Sequence, residues 1–118
     1  MKNNITTEFK ATMHELRLVE SEQLDIFTKL QDYAIRFRPS RWESVDASWK
    51  TEGDNRYAEM KYVDTDCPDI KLTVGASMKT VAENLVDIEV YASSNCTQVT
   101  STYKRHIMSF LRKLQSEL

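Results

Sequence analysis

Glycine and proline are nearly missing from this chain: two of each in 118 residues. Two glycines cannot build a Gly-rich phosphate-cradling loop. So little Gly and Pro also argues against long disordered linkers. Cysteine is as scarce, with Cys67 and Cys96 alone. Neither has a partner at C-x-x-C spacing, and the expectation is free thiols in a reducing compartment, with a Cys67–Cys96 bridge as the rival. The two histidines, His14 and His106, come without an H-E-x-x-H, G-x-S-x-G or catalytic cysteine signature. A triad needs a histidine with a nucleophile and an orienting acid, and none is legible here. There is no basic excess either: the net charge is −2, which disfavours generic nucleic-acid binding. No apolar run is long enough to span a bilayer. Residues 1–7 are polar, so no signal peptide is read there and the expected location is cytoplasmic. Asn4-Ile5-Thr6 and Asn95-Cys96-Thr97 match the glycosylation sequon and are read as chance matches in that setting.

What is present is ordinary for a globular domain: 41% hydrophobic and 29% charged residues. A chain of this length buries about two-thirds of its unfolded surface, so one domain over 1–118 is expected, with no metal or disulfide staple. The clearest pattern is a switch of period. Ile70, Leu72, Val74, Ala76 and Met78 alternate with Lys71, Thr73, Gly75, Ser77 and Lys79. Val86, Ile88, Val90 and Ala92 then alternate with Asp87, Glu89 and Tyr91. A helical stripe follows: Val99, Tyr103, Ile107, Phe110, Leu111, Leu114 and Leu118. Period 2 giving way to period 3.6 predicts antiparallel strands and a covering helix.

Upstream, Phe9, Ala11 and Met13 alternate, and Leu16 and Leu18 resume one residue out of phase. That reads as a strand with a bulge. The rival is a helix over 8–19 with Phe9, Met13 and Leu16 on one side, capped by Thr7 with Ile5 as staple. Ser21 looks like the N-cap of the next helix, with Leu24, Phe27, Leu30, Tyr33 or Ala34, and Phe37 as its stripe, Ile26 broadening it and Pro39 ending it. Period 2 then returns: Val45, Ala47 and Trp49 on one side, and next Ala58, Met60 and Tyr62, with turns at 51–55 and 64–69. Ser94, Asn95 or Thr97 is expected to cap the last helix.

Alternation leaves each strand one wet face, as in an antiparallel sheet covered on one side. The expected architecture is a two-layer α+β sandwich: an antiparallel sheet of four to five strands with two helices on one face, in the order β-α-β-β-β-β-α. This order resembles the helix-grip layout, in which a curved sheet wraps a C-terminal helix. The likeness is one of element order and carries no activity.

Candidate sites follow from these faces. Tyr57, Glu59, Lys61 and Val63, with Leu85, Asp87, Glu89 and Tyr91, form the expected outward set. Of these, Tyr57, Val63, Leu85 and Tyr91 are apolar enough to seed a protein interface. Arg36-Phe37-Arg38-Pro39-Ser40-Arg41-Trp42 interleaves three arginines with two aromatics around a bend. It reads as an interface or stacking cluster, or as a helix end with Trp42 entering the core. Residues 100–118 carry Lys104, Arg105, Arg112 and Lys113 against Glu117, a net +3, whereas 61–99 carry three lysines against six acids, a net −3. Arg36, Arg38, Arg41 and Trp42 would form one basic patch with Lys104, Arg105 and Arg112 if the fold brings them together. Asp64, Asp66 and Asp69 sit close, but lack the Gly and the distant Glu of a calcium loop. No metal, cofactor or catalytic residue is assigned.

Three functions are then weighed. The first is a non-enzymatic protein-binding module of the adaptor, chaperone, immunity or inhibitor type, acting through the exposed sheet face or a helix edge, with self-association as a corollary. The second is a small-ligand domain with a cavity under the last helix, lined by Met60, Tyr62, Met78, Met108 and Phe110. The third is nucleic-acid binding by the 36–42 segment and the basic helix.

Overall fold

The structure is a computed structural model, and it describes residues 6–36 and 42–118, without the side chain of Arg36. Seven elements run in the expected order: β1 (Thr7–Arg17), α1 (Glu20–Arg36), β2 (Trp42–Glu52), β3 (Asn55–Asp64), β4 (Lys71–Ala82), β5 (Leu85–Ser94) and α2 (Thr97–Ser116). The strands form one five-stranded antiparallel sheet in the order β1-β5-β4-β3-β2. Strands β2 to β5 meander as hairpins. β1 pairs on the far side of β5, so α1 carries the chain across the sheet from one edge to the other.

Short connections set the register. The β2–β3 loop is Gly53-Asp54, with Gly53 at φ +56°. The β4–β5 loop is Glu83-Asn84, with Asn84 at φ +57°. Gly and Asn are the residues that take this left-handed backbone at least cost. β1 is a strand with a bulge between Met13 and Leu16, where Glu15 takes φ +54°. The helical reading of this segment is thereby excluded.

Both helices lie on one face. α2 packs on β1 and β5, and α1 packs on β4 and β3. Beneath them Val74, Ala76, Val86, Ile88, Val90 and Ala92 are fully buried, with Leu30, Tyr103 and Ile107 from the helices. Tyr62 on β3 fastens the end of α1, donating its hydroxyl to the carbonyls of Ala34 at 2.7 Å and Ile35 at 3.2 Å. Those carbonyls sit in the last helical turn, which has no intrahelical donors of its own. At the other helix, Thr7 Oγ1 lies 2.8 Å from Thr100 Oγ1 and ties β1 to the first turn of α2. Lys29 Nζ meets Glu117 Oε2 at 2.6 Å and links α1 to the end of α2.

Local details depart from expectation in five places. α1 begins at Glu20, one residue before the predicted cap, and the Glu22 carboxylate accepts the Val19 N–H at 3.0 Å. Its sheet-facing stripe is Ile26, Leu30, Tyr33 and Ala34, while Leu24 is 52% exposed. The apolar residues of α1 cover more than one helical face, and the face that fits the sheet excludes Leu24. α2 is entered from Cys96 without a side-chain cap; Ser94 Oγ accepts the Cys96 N–H, and Asn95 instead bridges to Lys71 N and Asp69 O. Leu118 is exposed, so the α2 stripe ends at Leu114. Fifth, Val45 falls in a bulge between Ser44 and Asp46, which breaks the expected run Val45, Ala47, Trp49.

Candidate protein-binding surface

Cross-strand partners share a face, so the register assigns every side chain. On β2, Trp42, Ser44, Ala47, Trp49 and Thr51 stand on the helix side, opposite Asp64, Tyr62, Met60, Ala58 and Arg56. Glu43, Asp46, Ser48, Lys50 and Glu52 stand on the open side. The helices rest on β1, β5, β4 and β3, and β2 is the edge of the sheet away from α2. Its helix-side residues beyond Trp42 are therefore uncovered: Ala47 is exposed, Trp49 is 46% exposed, and bulged Val45 is 58% exposed. An edge strand also turns alternate N–H and C=O groups outward, where another strand can pair with them.

The opposite edge, β1, is blunted. Lys10 lies 3.8 Å from both Glu8 and Glu89. At the bulge the Glu15 N–H donates to Asp87 Oδ1 at 2.8 Å, and His14 Nδ1 is 3.5 Å from the same carboxylate. The Glu15 bond, aided by His14, holds the Asp87 carboxyl below its ordinary range. A bulge and inward-tied charges are standard protection for an edge.

The open face is a polar lattice. Lys10, Tyr91, Gly75, Glu59 and Ser48 form one row across all five strands. Gly75 has no side chain, so the Tyr91 ring lies across β4 and its hydroxyl donates to Glu59 on β3. Partial burial and that carboxylate push the phenol pKa up. Tyr57 donates to Glu52 at 3.2 Å, with Lys50 Nζ 6.0 Å above its ring. Tyr57, Val63, Leu85 and Tyr91 all stand on this face, half-buried. Tyr57 and Tyr91 are central to it. Val63 and Leu85 stand toward opposite ends, each six residues, roughly 20 Å, from the tyrosine on its own strand.

Of the expected basic patch, the α2 residues and Trp42 are described. Lys104, Arg105 and Arg112 are exposed on the outer side of α2, where with Ser101, Met108 and Ser109 they line a shallow groove of about 500 Å³. Lys104 Nζ also sits 5.5 Å over the Phe9 ring. Arg38 and Arg41 lie outside the described residues. Trp42 is 4% exposed and belongs to the core cluster, so its ring is not available for stacking on a base. Of the two readings of that segment, Trp42 follows the one in which it opens a strand.

The volume beside α2 is a solvent-open cleft between the helices, about 320 Å³, lined by Tyr33, Phe110 and Leu114 with Lys29, Asp32, Lys113 and Glu117. It lies at the flank of α2, whereas Met60, Tyr62 and Met78 are buried in the core. His106 packs edge-on to Tyr103 at 5.7 Å, and partial burial beside Arg105 lowers its pKa. Both cysteines are free thiols. No group of three or more His, Cys, Asp or Glu among the described residues is arranged to hold a metal ion. Asp64 is buried, and one of its oxygens accepts the Asp66 N–H at 2.9 Å, a turn-forming role. No helix among the described residues is long and apolar enough to cross a membrane.

Compared with family models and with curated proteins, the chain matches none.

The β2 edge was not legible as a site, because Val45, Ala47 and Trp49 read as core. A signal was available in the same segment. Ser44 and Thr51 occupy helix-side positions, and β5 has no polar residue there before Ser94. Polar residues on the inward set mark a strand that no layer covers.

Proposed function

We propose that the chain is a non-enzymatic protein-binding module and that its docking surface is the β2 edge. The observation that carries this reading is Trp49, a tryptophan left 46% exposed on an edge strand whose outer side pairs with no other strand among the described residues, beside exposed Val45. Tryptophan is the residue most enriched among interface hot spots, and edge strands bind partners by adding a strand, with backbone bonds for affinity and alternate side chains for specificity. The titratable groups elsewhere on the sheet support binding over turnover. Glu59 is engaged by Tyr91, and Asp87 by the Glu15 backbone. The reading suits an adaptor, chaperone, immunity protein or inhibitor, and it moves the contact from the sheet's open face to its edge.

The test is site-specific photo-crosslinking in cells expressing the protein. A photoreactive residue replaces Lys50 on the edge, Ser77 on the open face, or Met108 on α2. Protein adducts formed from position 50 and not from 77 or 108 support the edge. Adducts from 77 or 108 alone, or from none of the three, overturn it.

A further inference from the structure

We propose that the β2 edge pairs with a second copy of this chain, antiparallel β2 to β2 about a two-fold axis at Ser48, joining two five-stranded sheets into one of ten. This rests on the reading of β2 as a docking surface and names its occupant.

Register selects the pairing. Side chains opposite each other share a face. Beyond the bulge, Ala47, Trp49 and Thr51 face the helix side and Asp46, Ser48, Lys50 and Glu52 the open side. Keeping both pairs of helices on one side of the joined sheet therefore requires odd positions opposite odd and even opposite even. Seven such registers centre on the straight part of β2, residues 46–52; centring on Glu52 sets Glu52 against itself, and centring on Thr51 places Lys50 opposite Glu52 but pairs only residues 50–52 before the turn. Centring on Asp46 sets Asp46 against itself, and centring on Lys50 sets Lys50 against itself. Centring on Trp49 places Glu52 opposite Asp46 twice, again like against like. Centring on Ala47 sets Asp46 opposite Ser48 and carries Lys50 past the straight part into the bulge, so no opposite charges meet within the straight part. Centring on Ser48 alone places Lys50 opposite Asp46 of the second copy, twice by symmetry. Like charges directly opposite destabilise a sheet and opposite charges stabilise it.

The same register is complementary on the helix side. Trp49 falls opposite Ala47 of the second copy, large against small, again twice. The strip left uncovered by α1 would then be covered by the partner's indole. Closure also follows: a two-fold β2–β2 contact uses the edge once in each copy and ends there, whereas pairing β2 with the blunted β1 edge would propagate. The contact is short for an interface, so a weak, concentration-dependent dimer is expected.

Sedimentation of the purified full chain over micromolar to near-millimolar concentrations tests this. Wild type is expected to move from monomer to dimer. Lys50→Asp sets acid against acid across the axis, and Asp46→Lys sets lysine against lysine. Each is expected to weaken association at least tenfold by itself, and an equimolar mixture of the two to recover the dimer. Circular dichroism of each variant verifies the fold. In a Cys67→Ser, Cys96→Ser background, Ser48→Cys is expected to form an intermolecular disulfide on mild oxidation. Opposed Cα atoms at about 4.5–5.5 Å suit that bond. Lys50→Cys is expected not to form one. A wild type that stays monomeric throughout, or a dimer indifferent to both charge variants and to their mixing, overturns the proposal. A monomer whose position 50 still crosslinks to a different protein in cells overturns the second copy alone and leaves the edge as the docking surface.

Discussion

β2 and β5 are written in the same alternating code and meet different fates. In β5 the apolar positions Val86, Ile88, Val90 and Ala92 are fully buried, because β5 lies inside the sheet with α2 on top. In β2 the corresponding positions Ala47 and Trp49 stand on the same side of the same sheet and remain exposed. Alternation reports which way a side chain points. Whether anything covers it depends on where the strand lies in the sheet and where the helices rest, which are properties of the whole chain. The two helices rest on β1, β5, β4 and β3, and the strip of β2 beyond Trp42 is left exposed.

The largest expected effect tests this contrast directly. Ile88→Ala removes a fully buried branched side chain and leaves a cavity, a loss of about 2–5 kcal/mol. Trp49→Ala, measured in dilute protein where no dimer forms, is expected to cost less than about 1 kcal/mol, as surface changes do. Urea midpoints of the two variants against wild type decide it. Comparable losses would make Trp49 part of the core and remove the distinction between the strands.

Much of the fold was legible because it depends on local period. The seven elements, their order, the bulged first strand and the shared helix face all follow from where period 2 gives way to period 3.6. What was not legible depends on placement. Leu24 and Ile26 are equally apolar, and only contact with the sheet decides that Ile26 is buried and Leu24 is not. Gly75 reads as a small residue at an outward position; its consequence, a Tyr91 ring laid across β4 to Glu59, needs the register. Trp49 had the pattern of a core residue and the position of an edge.

Next in size is an alkaline effect to which the covered layer contributes Tyr33 and Tyr103. Burial pushes the phenol pKa of Tyr33 and of Tyr103 well above the ordinary value of 10.0. A raised folded pKa means that the unfolded chain releases its proton first as pH rises. The contribution of these tyrosines is full below pH 10 and is lost progressively above it. Stability to urea is expected to fall steadily from about pH 10 upward, with phenolate absorbance of Tyr33 and Tyr103 developing only on unfolding. Phenolate from either one in the folded protein near pH 10 would show that the helices leave that layer accessible to water.

A smaller effect probes the open face. A Cβ at position 75 would fall within the Tyr91 ring. Gly75→Ala therefore forces the ring aside and breaks its bond to Glu59, an expected cost of about 1–2 kcal/mol. Tyr91→Phe keeps the ring in place and loses only the hydroxyl bond, so its cost should be the lesser of the two. Equal costs would mean that the ring's position over Gly75 contributes nothing beyond the hydrogen bond.

The smallest effect separates the two edges of the sheet. Asp87 accepts the Glu15 N–H at the β1 bulge, and this bond, with His14, keeps its carboxyl below the ordinary value of 3.8. A depressed folded pKa means that its contribution is present above that value and is lost as pH falls through the folded pKa. Asp87 is expected to titrate below the ordinary aspartate value by NMR, and Asp87→Ala to speed hydrogen exchange at Glu15 without changing association through β2. The edge that evolved a bulge and a carboxylate clamp would then loosen alone, because its protection is local. The β2 edge has no such clamp on Trp49, which is why a partner is the more economical way to satisfy it. An Asp87→Ala protein that gains a new self-association through β1 would carry the same lesson further, since removing the clamp would have turned a protected edge into a pairing one.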